Sequence, residues 1–202
     1  MTDTAAPPPD SPPANADQID HRDHAAIVEA TRHWLTRAVI GLNLCPFAKS
    51  VHVKNQIRYV VSEATELEGV LNDLERELQL LAEADEAVID TTLLILPRAL
   101  ADFADFNDAT WFAERLVKQL RLEGTLQVAS FHPQFQFEGT EPNDIENYTN
   151  RAPYPILHLL REASIERAVD AFPDAADIYE RNQETLRKLG FEGWREWMNK
   201  RD

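Results

Sequence analysis

The sequence is poor in cysteine, in glycine and in long apolar stretches, and each shortage excludes a class of protein. One cysteine in 202 residues cannot form a disulfide within the chain, so a disulfide-stapled secreted scaffold is excluded and we expect a cytoplasmic protein. The six glycines are scattered, which excludes a glycine-rich phosphate-binding loop. No stretch approaches the roughly 20 apolar residues that a membrane-spanning helix needs, so we expect no membrane partner.

Basic residues are also scarce, because 20 lysines and arginines face 35 aspartates and glutamates, and the net charge is −15. A nucleic-acid-binding surface needs clustered basic side chains, so we expect no nucleic-acid partner. The charge is uneven: residues 63–86 contain nine acidic residues and one arginine, whereas residues 31–62 contain five basic residues and no acidic one. The basic segment is either a patch that attracts an anion or a set of unrelated solvated side chains.

The pattern of apolar residues predicts an α/β (or α+β) fold. Residues 1–22 are rich in proline and aspartate, so we expect a disordered tail there and a single globular domain over 23–202. Short apolar runs predict three strands, at residues 56–62, 89–96 and 126–131. Helical spacing of apolar residues predicts helices at 24–41, 63–86, 103–122, 156–172, 175–189 and 191–199. The expected architecture is a small, at least partly parallel three-stranded sheet covered by helices, with a helical C-terminal part.

Two polar residues follow predicted strands directly. Arg98 lies just after the second strand and His132 just after the third, at the edge where parallel sheets usually bind ligands. A histidine in this position could act as a general base, activate a thiol or bind a metal. It could equally do no more than form a hydrogen bond with a backbone carbonyl.

Cys45 is the candidate nucleophile. If Pro46 is the first residue of a short helix, Cys45 is the N-cap, where free amides and the helix dipole favour a thiolate. Nearby Lys49 and Arg58 would lower the pKa of the thiol further. The alternative is a small buried apolar side chain at a bend in the chain.

A third group of polar residues lies in the loop that follows the third strand and in the helix predicted after it. The loop is stiffened by prolines and carries Asp144, Asn147, Asn150 and Arg151. On the predicted helix, the residues that share one face are His158, Arg161 and Glu162. Two arginines, Arg151 and Arg161, could hold a carboxylate or a phosphate. The alternative is a solvated helix face beside an ordinary loop.

Metal binding is the other chemistry that these residues allow. The sequence has no paired-cysteine zinc motif and no His-Glu-x-x-His motif. A site built from His132, His158 and either Asp144 or Glu162 stays open as an alternative, although the spacing is not diagnostic. The sequence does not identify a cofactor.

Four segments resemble the bacterial domain of unknown function 1415 family. They are NLCPFA (43–48), FHP (131–133), NYTNRAPYP (147–155) and LHLLRE (157–162). The resemblance runs from about residue 25 to residue 190. The family name assigns no activity, so the resemblance implies only which residues belong together: Cys45, His132, Asn147, Asn150, Arg151, His158, Arg161 and Glu162.

Two functions follow as hypotheses. The first is an enzyme that acts on a small anionic metabolite, in which Cys45 is the nucleophile, His132 its base or a proton donor, and Asp144 or Glu162 an orienting carboxylate. In this hypothesis His158 is a further catalytic residue. The residues that would bind the anion are Arg98, Asn147, Asn150, Arg151 and Arg161. The second is a non-enzymatic binding or interaction module, in which the same residues form a structural polar network.

Overall fold

The computed structural model describes residues 23–171 and 178–200, so the expected tail over residues 1–22 lies outside the described part of the chain. The described residues form six α-helices and one sheet of four strands. The helices are α1 (His24–Trp34), α2 (Ala48–Val53), α3 (Leu67–Glu83), α4 (Phe103–Gln119), α5 (Glu162–Ala171) and α6 (Ile178–Asn199). The strands are β1 (Ile57–Val61), β2 (Thr91–Ile95), β3 (Leu126–Phe131) and β4 (Ile156–Arg161). A π-helix (Leu35–Ile40) continues α1, and a 3-10 helix (Ile145–Thr149) precedes β4.

The sheet has the strand order β1-β2-β4-β3. β1 and β2 are parallel, whereas β4 is antiparallel to both of its neighbours. The mixed, partly parallel α/β fold is therefore confirmed, but the prediction of three strands is wrong. β4 lies in the segment predicted as a helix over 156–172, of which only the second part, α5, is helical.

The prediction failed because β4 is an inner strand. It is paired on both sides and its residues alternate between two covered faces, so both its even-numbered and its odd-numbered positions contain apolar residues. Ile156, Leu157 and Leu159 are buried, and the run lacks the alternation that marks a half-exposed strand. Such a run suits a buried helix equally well.

Helices α3 and α4 cover one face of the sheet. Leu74 on α3 and Phe106 on α4 are fully buried in one apolar cluster with Leu94, Leu157 and Leu159 of the sheet. Asp102 begins α4 as its N-cap, because its carboxylate accepts hydrogen bonds from the next free amides of the helix. The first strand, α3 and β2 therefore form a strand–helix–strand unit on this face.

The opposite face of the sheet is covered by α1 and the π-helix, with α6 against their outer end. Ile27 and Trp34 pack on Ile95 and Ile156 in a second apolar cluster. From residue 178 onward, the two segments predicted as helices over 175–189 and 191–199 are both helical and follow each other within α6, separated by non-helical backbone at Gly190, where φ is 65°. Residues 175–177 lie outside the described ranges.

The C-terminal ends of three strands lie at the same edge of the sheet. Because β4 is antiparallel to β2 and β3, the strands β1, β2 and β3 all point the same way and end at the same edge of the sheet. Arg98 and His132 follow two of these ends, as the sequence predicted, and Ser62 follows the third. In the described ranges, no helix is long and apolar enough to cross a membrane.

Candidate functional site

His132 is fully buried at the end of β3. Its Nε2 donates a hydrogen bond to the carbonyl oxygen of Leu100 (3.1 Å), and its Nδ1 accepts one from the backbone N–H of Gln134 (3.0 Å). The ring packs against Phe103 and Phe106, with centroid separations of 5.4 and 5.0 Å. Burial lowers the pKa of His132. The side chain is therefore a neutral imidazole whose two nitrogens both have backbone partners.

Asn147 organises the loop between β3 and β4. It is fully buried, and its Oδ1 accepts hydrogen bonds from the backbone N–H of Phe137 (3.0 Å) and from the hydroxyl of Thr140 (2.8 Å). Its Nδ2 donates to the carbonyl of Glu141 (2.8 Å). Asp144 is bound to the same turn, because its carboxylate accepts from the backbone N–H of Glu141 (2.8 Å). Both side chains satisfy backbone groups of a segment that has no regular structure.

Arg151 crosses the same loop. Its Nε donates to the carbonyl of Phe135 (3.2 Å) and its Nη2 to the carbonyl of Pro142 (2.5 Å), while the guanidinium lies 4.6 Å from the ring centre of Tyr148. The neighbouring Asn150 donates to the carbonyl of Ser130 on β3 (3.4 Å). The guanidinium that was expected to hold an anion therefore binds backbone carbonyls of the loop.

His158 lies in the middle of β4. The hydroxyl of Thr91 donates to the carbonyl of Leu159 (2.6 Å), so the Thr91 oxygen accepts a hydrogen bond from Nε2 of His158 (2.7 Å). Burial lowers the pKa of His158 to about 4. At neutral pH this histidine is uncharged and engaged within the sheet.

Arg161 lies on the other face of the sheet from His158, because the two residues are three apart on a strand. Its Nη2 donates to the carbonyl oxygens of Leu81 and Ala84, both at 2.7 Å, and its Nε donates to that of Ile89 at 3.4 Å. Arg161 thus caps the C-terminal end of α3, where unpaired carbonyls and the helix dipole favour a cation.

Glu162 is the first residue of α5, and its backbone N–H donates to the carbonyl of Thr125 (3.0 Å). The prediction that His158, Arg161 and Glu162 share one helix face is therefore wrong. Two of the three belong to a strand, whose side chains alternate between faces.

The surroundings of Cys45 also differ from the prediction. Helix α2 begins at Ala48 with Phe47 as N-cap, so Cys45 precedes the cap by two residues. The thiol packs against the apolar cluster of α1. Burial raises its pKa, and this effect outweighs the hydrogen bonds from the amides of Phe47 and Ala48, which act in the opposite direction.

The basic segment 31–62 does not form one patch. Arg58 binds the buried carboxylate of Glu77 on the α3 side of the sheet, with contacts of 2.7 and 3.3 Å. Arg32 lies on the opposite side, 4.8 Å from the ring centre of Tyr59. Arg58 is therefore engaged by Glu77, and the charges of Arg58 and Arg32 lie on opposite faces of the sheet.

Arg98 lies at the predicted edge but is exposed. Its Nη1 donates to Glu63 (2.8 Å), whose second carboxylate oxygen contacts His24. His24 first, and Arg98 second, lower the pKa of Glu63. The ion pair joins the ends of β1 and β2 at the surface.

The structure brings together only part of the predicted site. His132, Asn147, Asn150 and Arg151 share the loop after β3, where the backbone N–H of His132 donates to the carbonyl of Asn150 (3.2 Å). Arg161 lies at the other end of β4, beside the end of α3. Among the described residues, no group of three His, Cys, Asp or Glu side chains is placed to hold a metal, so the alternative metal site does not form.

A groove beside α4 was not predicted. It is an open depression between the loop after β1, the loop after β2 and one side of α4, and we call it the α4 groove. Apolar side chains in it include Leu67, Leu100 and Phe112. Its acidic residues are Glu66, Asp102, Asp105 and Asp108.

Beside the groove, the open outer side of α4 carries Trp111 and Glu114 next to the shared residues Asp108 and Phe112. Trp111 and Phe112 are 52% and 41% exposed, which is unusual for adjacent large aromatic residues on a helix. This Trp-Phe pair on the polar side of α4 is the sequence signal that could have located the groove. No lysine or arginine is among the described residues that line the groove.

Comparison with known proteins gives one match. The model of a family described as "Protein of unknown function (DUF1415)" matches residues 26–196, a range that contains all four motif segments. The resemblance found from the sequence is thereby confirmed. No curated protein and no solved structure matches the chain.

Proposed function

Because the chain belongs to the DUF1415 family, whose description assigns no activity, we propose a function from the geometry: a non-enzymatic binding protein. Its motif residues form a structural polar network, and its binding surface is the α4 groove. The observation that carries this proposal is that His132, Asn147 and Arg151 direct their polar atoms at backbone groups of the protein. Such bonds hold irregular segments in place.

The network and the groove are connected through Leu100. His132 binds the carbonyl of Leu100, a residue held at a φ of 56°, in the left-handed region that is costly for a leucine. Leu100 and its neighbours Ala101 and Asp102 line the α4 groove. The imidazole thereby stabilises the backbone conformation that forms one wall of the groove.

The α4 groove has the features of a binding surface. It is concave, it has apolar side chains beside acidic residues, and it ends in the exposed pair Trp111 and Phe112. Exposed aromatic residues of this kind are enriched at interfaces, because they supply a large contact area with little loss of side-chain entropy.

Alanine variants test the structural role of the motif residues. His132→Ala leaves the Leu100 carbonyl and the Gln134 amide without partners and opens a cavity, so we expect the free energy of unfolding to fall by about 2–4 kcal/mol. Arg151→Ala is expected to lower it by about 2 kcal/mol. Urea unfolding followed by tryptophan fluorescence measures both.

The control is His52→Ala on α2, a partly exposed histidine, for which a change below about 0.5 kcal/mol is expected. If His132→Ala unfolds at the wild-type urea concentration, the motif histidine has no structural role and the proposal is wrong.

A second candidate function is the enzyme acting on a small anionic metabolite. It is favoured by one observation, the two amides that donate hydrogen bonds to the thiol of Cys45, since such amides also stabilise a thiolate. Burial of the thiol opposes this role. The titration of Cys45, described in the Discussion, distinguishes the two functions.

A further inference from the structure

We propose that the α4 groove binds a basic amphipathic segment of a partner protein, one that alternates or intersperses lysine or arginine with large apolar side chains. This inference rests on the proposed binding function and specifies its partner.

The charge of the groove requires a cationic partner. Four acidic residues, Glu66, Asp102, Asp105 and Asp108, line the groove, and Glu114 lies on the adjoining surface of α4. The carboxylate of Asp102 also caps α4, so the other three contribute the uncompensated charge. Among the described residues, no lysine or arginine forms an ion pair with Asp105, Asp108 or Glu114, although the guanidinium of Arg115 lies over the Trp111 ring on this helix. A cation that enters the groove meets complementary charge, which favours association and excludes anionic partners.

The apolar surface requires more than a cation. Leu67 and Leu100 lie at one end of the groove, and Phe112 and the half-exposed Trp111 lie at the other. Arg115 already lies over one side of the Trp111 ring, 4.6 Å from its centre. Large apolar side chains of a partner would bury the remaining aromatic surface, at about 25 cal/mol for each Å² removed from water.

The length of the groove favours a polypeptide segment. From Asp102 to Glu114, the lined side of α4 extends about 18 Å, at 1.5 Å per residue. This length accommodates about three turns of a helix or five to six residues of an extended chain. A second copy of the protein is disfavoured as the partner, because each copy carries a net charge of −15.

Fluorescence polarisation with defined peptides tests the proposal on the full-length protein. The probes are three fluorescein-labelled peptides of about ten residues that alternate lysine with leucine, with phenylalanine or with tryptophan. Each has a twin with glutamate in place of lysine. We expect at least one lysine peptide to bind at least tenfold more tightly than its glutamate twin.

Variants then locate the binding. Asp105→Asn combined with Asp108→Asn, and separately Phe112→Ser, should each weaken the bound peptide's affinity about tenfold. The matched control combines Glu83→Gln with Glu180→Gln, which removes the same charge from exposed positions outside the groove and should change affinity less than twofold. Circular dichroism confirms that each variant is folded.

Three outcomes would overturn the proposal. In the first, none of the three lysine peptides binds. In the second, the control pair of substitutions weakens peptide affinity as much as the groove pair does. In the third, spermidine binds in place of the peptides, and its binding depends on Asp105 and Asp108 in the same way. Each of these outcomes leaves the unfolding of His132→Ala unchanged. Failure of the partner assignment is therefore distinguishable from failure of the structural network.

Discussion

The side chains of His132, Arg151 and Arg161 mainly donate hydrogen bonds to backbone carbonyls of the protein. His132 binds Leu100, Arg151 binds Phe135 and Pro142, and Arg161 binds the end of α3. A carbonyl that loses such a partner while it stays buried costs about 1–3 kcal/mol. Single substitutions at these positions should therefore act on stability first.

Cys45 is the residue at which the binding and the enzymatic functions predict opposite results. Because burial raises the pKa of its thiol, we expect the rate of iodoacetamide labelling to reach half its maximum above pH of about 8.5, the usual thiol value. Mass spectrometry of intact wild-type protein measures this rate, and the label can only be on Cys45 because the chain has no other cysteine.

The same labelling in concentrated urea provides the control, since the unfolded thiol returns to its ordinary pKa. A midpoint in the folded protein below that of the unfolded protein would contradict the prediction and favour a catalytic thiolate.

The identity of the motif residues could be predicted from the sequence, whereas their partners could not. Polar residues between prolines stand out in a chain of this composition, and they directed attention to Asn147 and Arg151. The acceptors of Arg161, however, lie more than 70 residues away along the chain, at Leu81, Ala84 and Ile89. Only the pairing of β4 with β2 brings them together.

Among the elements, the strands and helices on the α3 side were predicted well. Their apolar residues show either a short β-rich run, as in β3, or a clear helical spacing, as in α3. β4 was predicted wrongly because burial on both faces removes the alternation. The π-helix over residues 35–40 was read as a continuation of α1, since a widened turn changes the hydrogen bonds of a helix without changing its apolar face.

The cap that Arg161 places on α3 predicts a large effect at the level of that helix. Arg161→Ala removes the donors to the carbonyls of Leu81 and Ala84, so we expect the free energy of unfolding to fall by about 2–3 kcal/mol. Arg161→Lys keeps the positive charge but lacks the planar guanidinium group that can donate to several carbonyls at once. About half of the loss in the free energy of unfolding should therefore remain. Urea unfolding monitored by circular dichroism measures both variants.

Arg167→Ala is the matched control, because Arg167 forms an exposed ion pair with Glu86 (3.1 Å) and its loss should cost less than about 1 kcal/mol. Equal losses for the alanine variants at positions 161 and 167 would show that the cap contributes nothing.

For the whole molecule, the distribution of charge decides which surface can bind. Three of the four acidic residues of the α4 groove, Asp102, Asp105 and Asp108, lie within seven residues of sequence at helical spacing, and folding adds Glu66 from the loop after β1. In segment 31–62, by contrast, Arg32 and Arg58 lie on opposite faces of the sheet. A local excess of one charge in the sequence therefore predicts a charged surface only where the residues also share one face of an element.

The buried histidine of the central strand makes the stability of the whole molecule depend on pH. His158 has a pKa of about 4 in the folded protein, against about 6.5 when it is exposed on unfolding. Above pH 6.5 both states are neutral and the full stability is present. Between pH 6.5 and pH 4 the unfolded state binds the proton and the folded state does not, so stability falls by about 3 kcal/mol.

Urea unfolding of the wild type and of His158→Gln at a series of pH values between 7 and 4 checks this prediction. The glutamine amide can still donate to Thr91 but does not titrate, so the variant should lack this part of the pH dependence. Carboxylates such as Glu63 and Glu146, whose pKa values are lowered in the folded state, contribute stability that begins to be lost as the pH falls to the ordinary glutamate pKa of about 4.3. This loss occurs in both proteins and cancels in the comparison. Parallel curves for wild type and His158→Gln would mean that His158 is hydrated in the folded protein, because only exclusion of water from the centre of β4 separates its two pKa values.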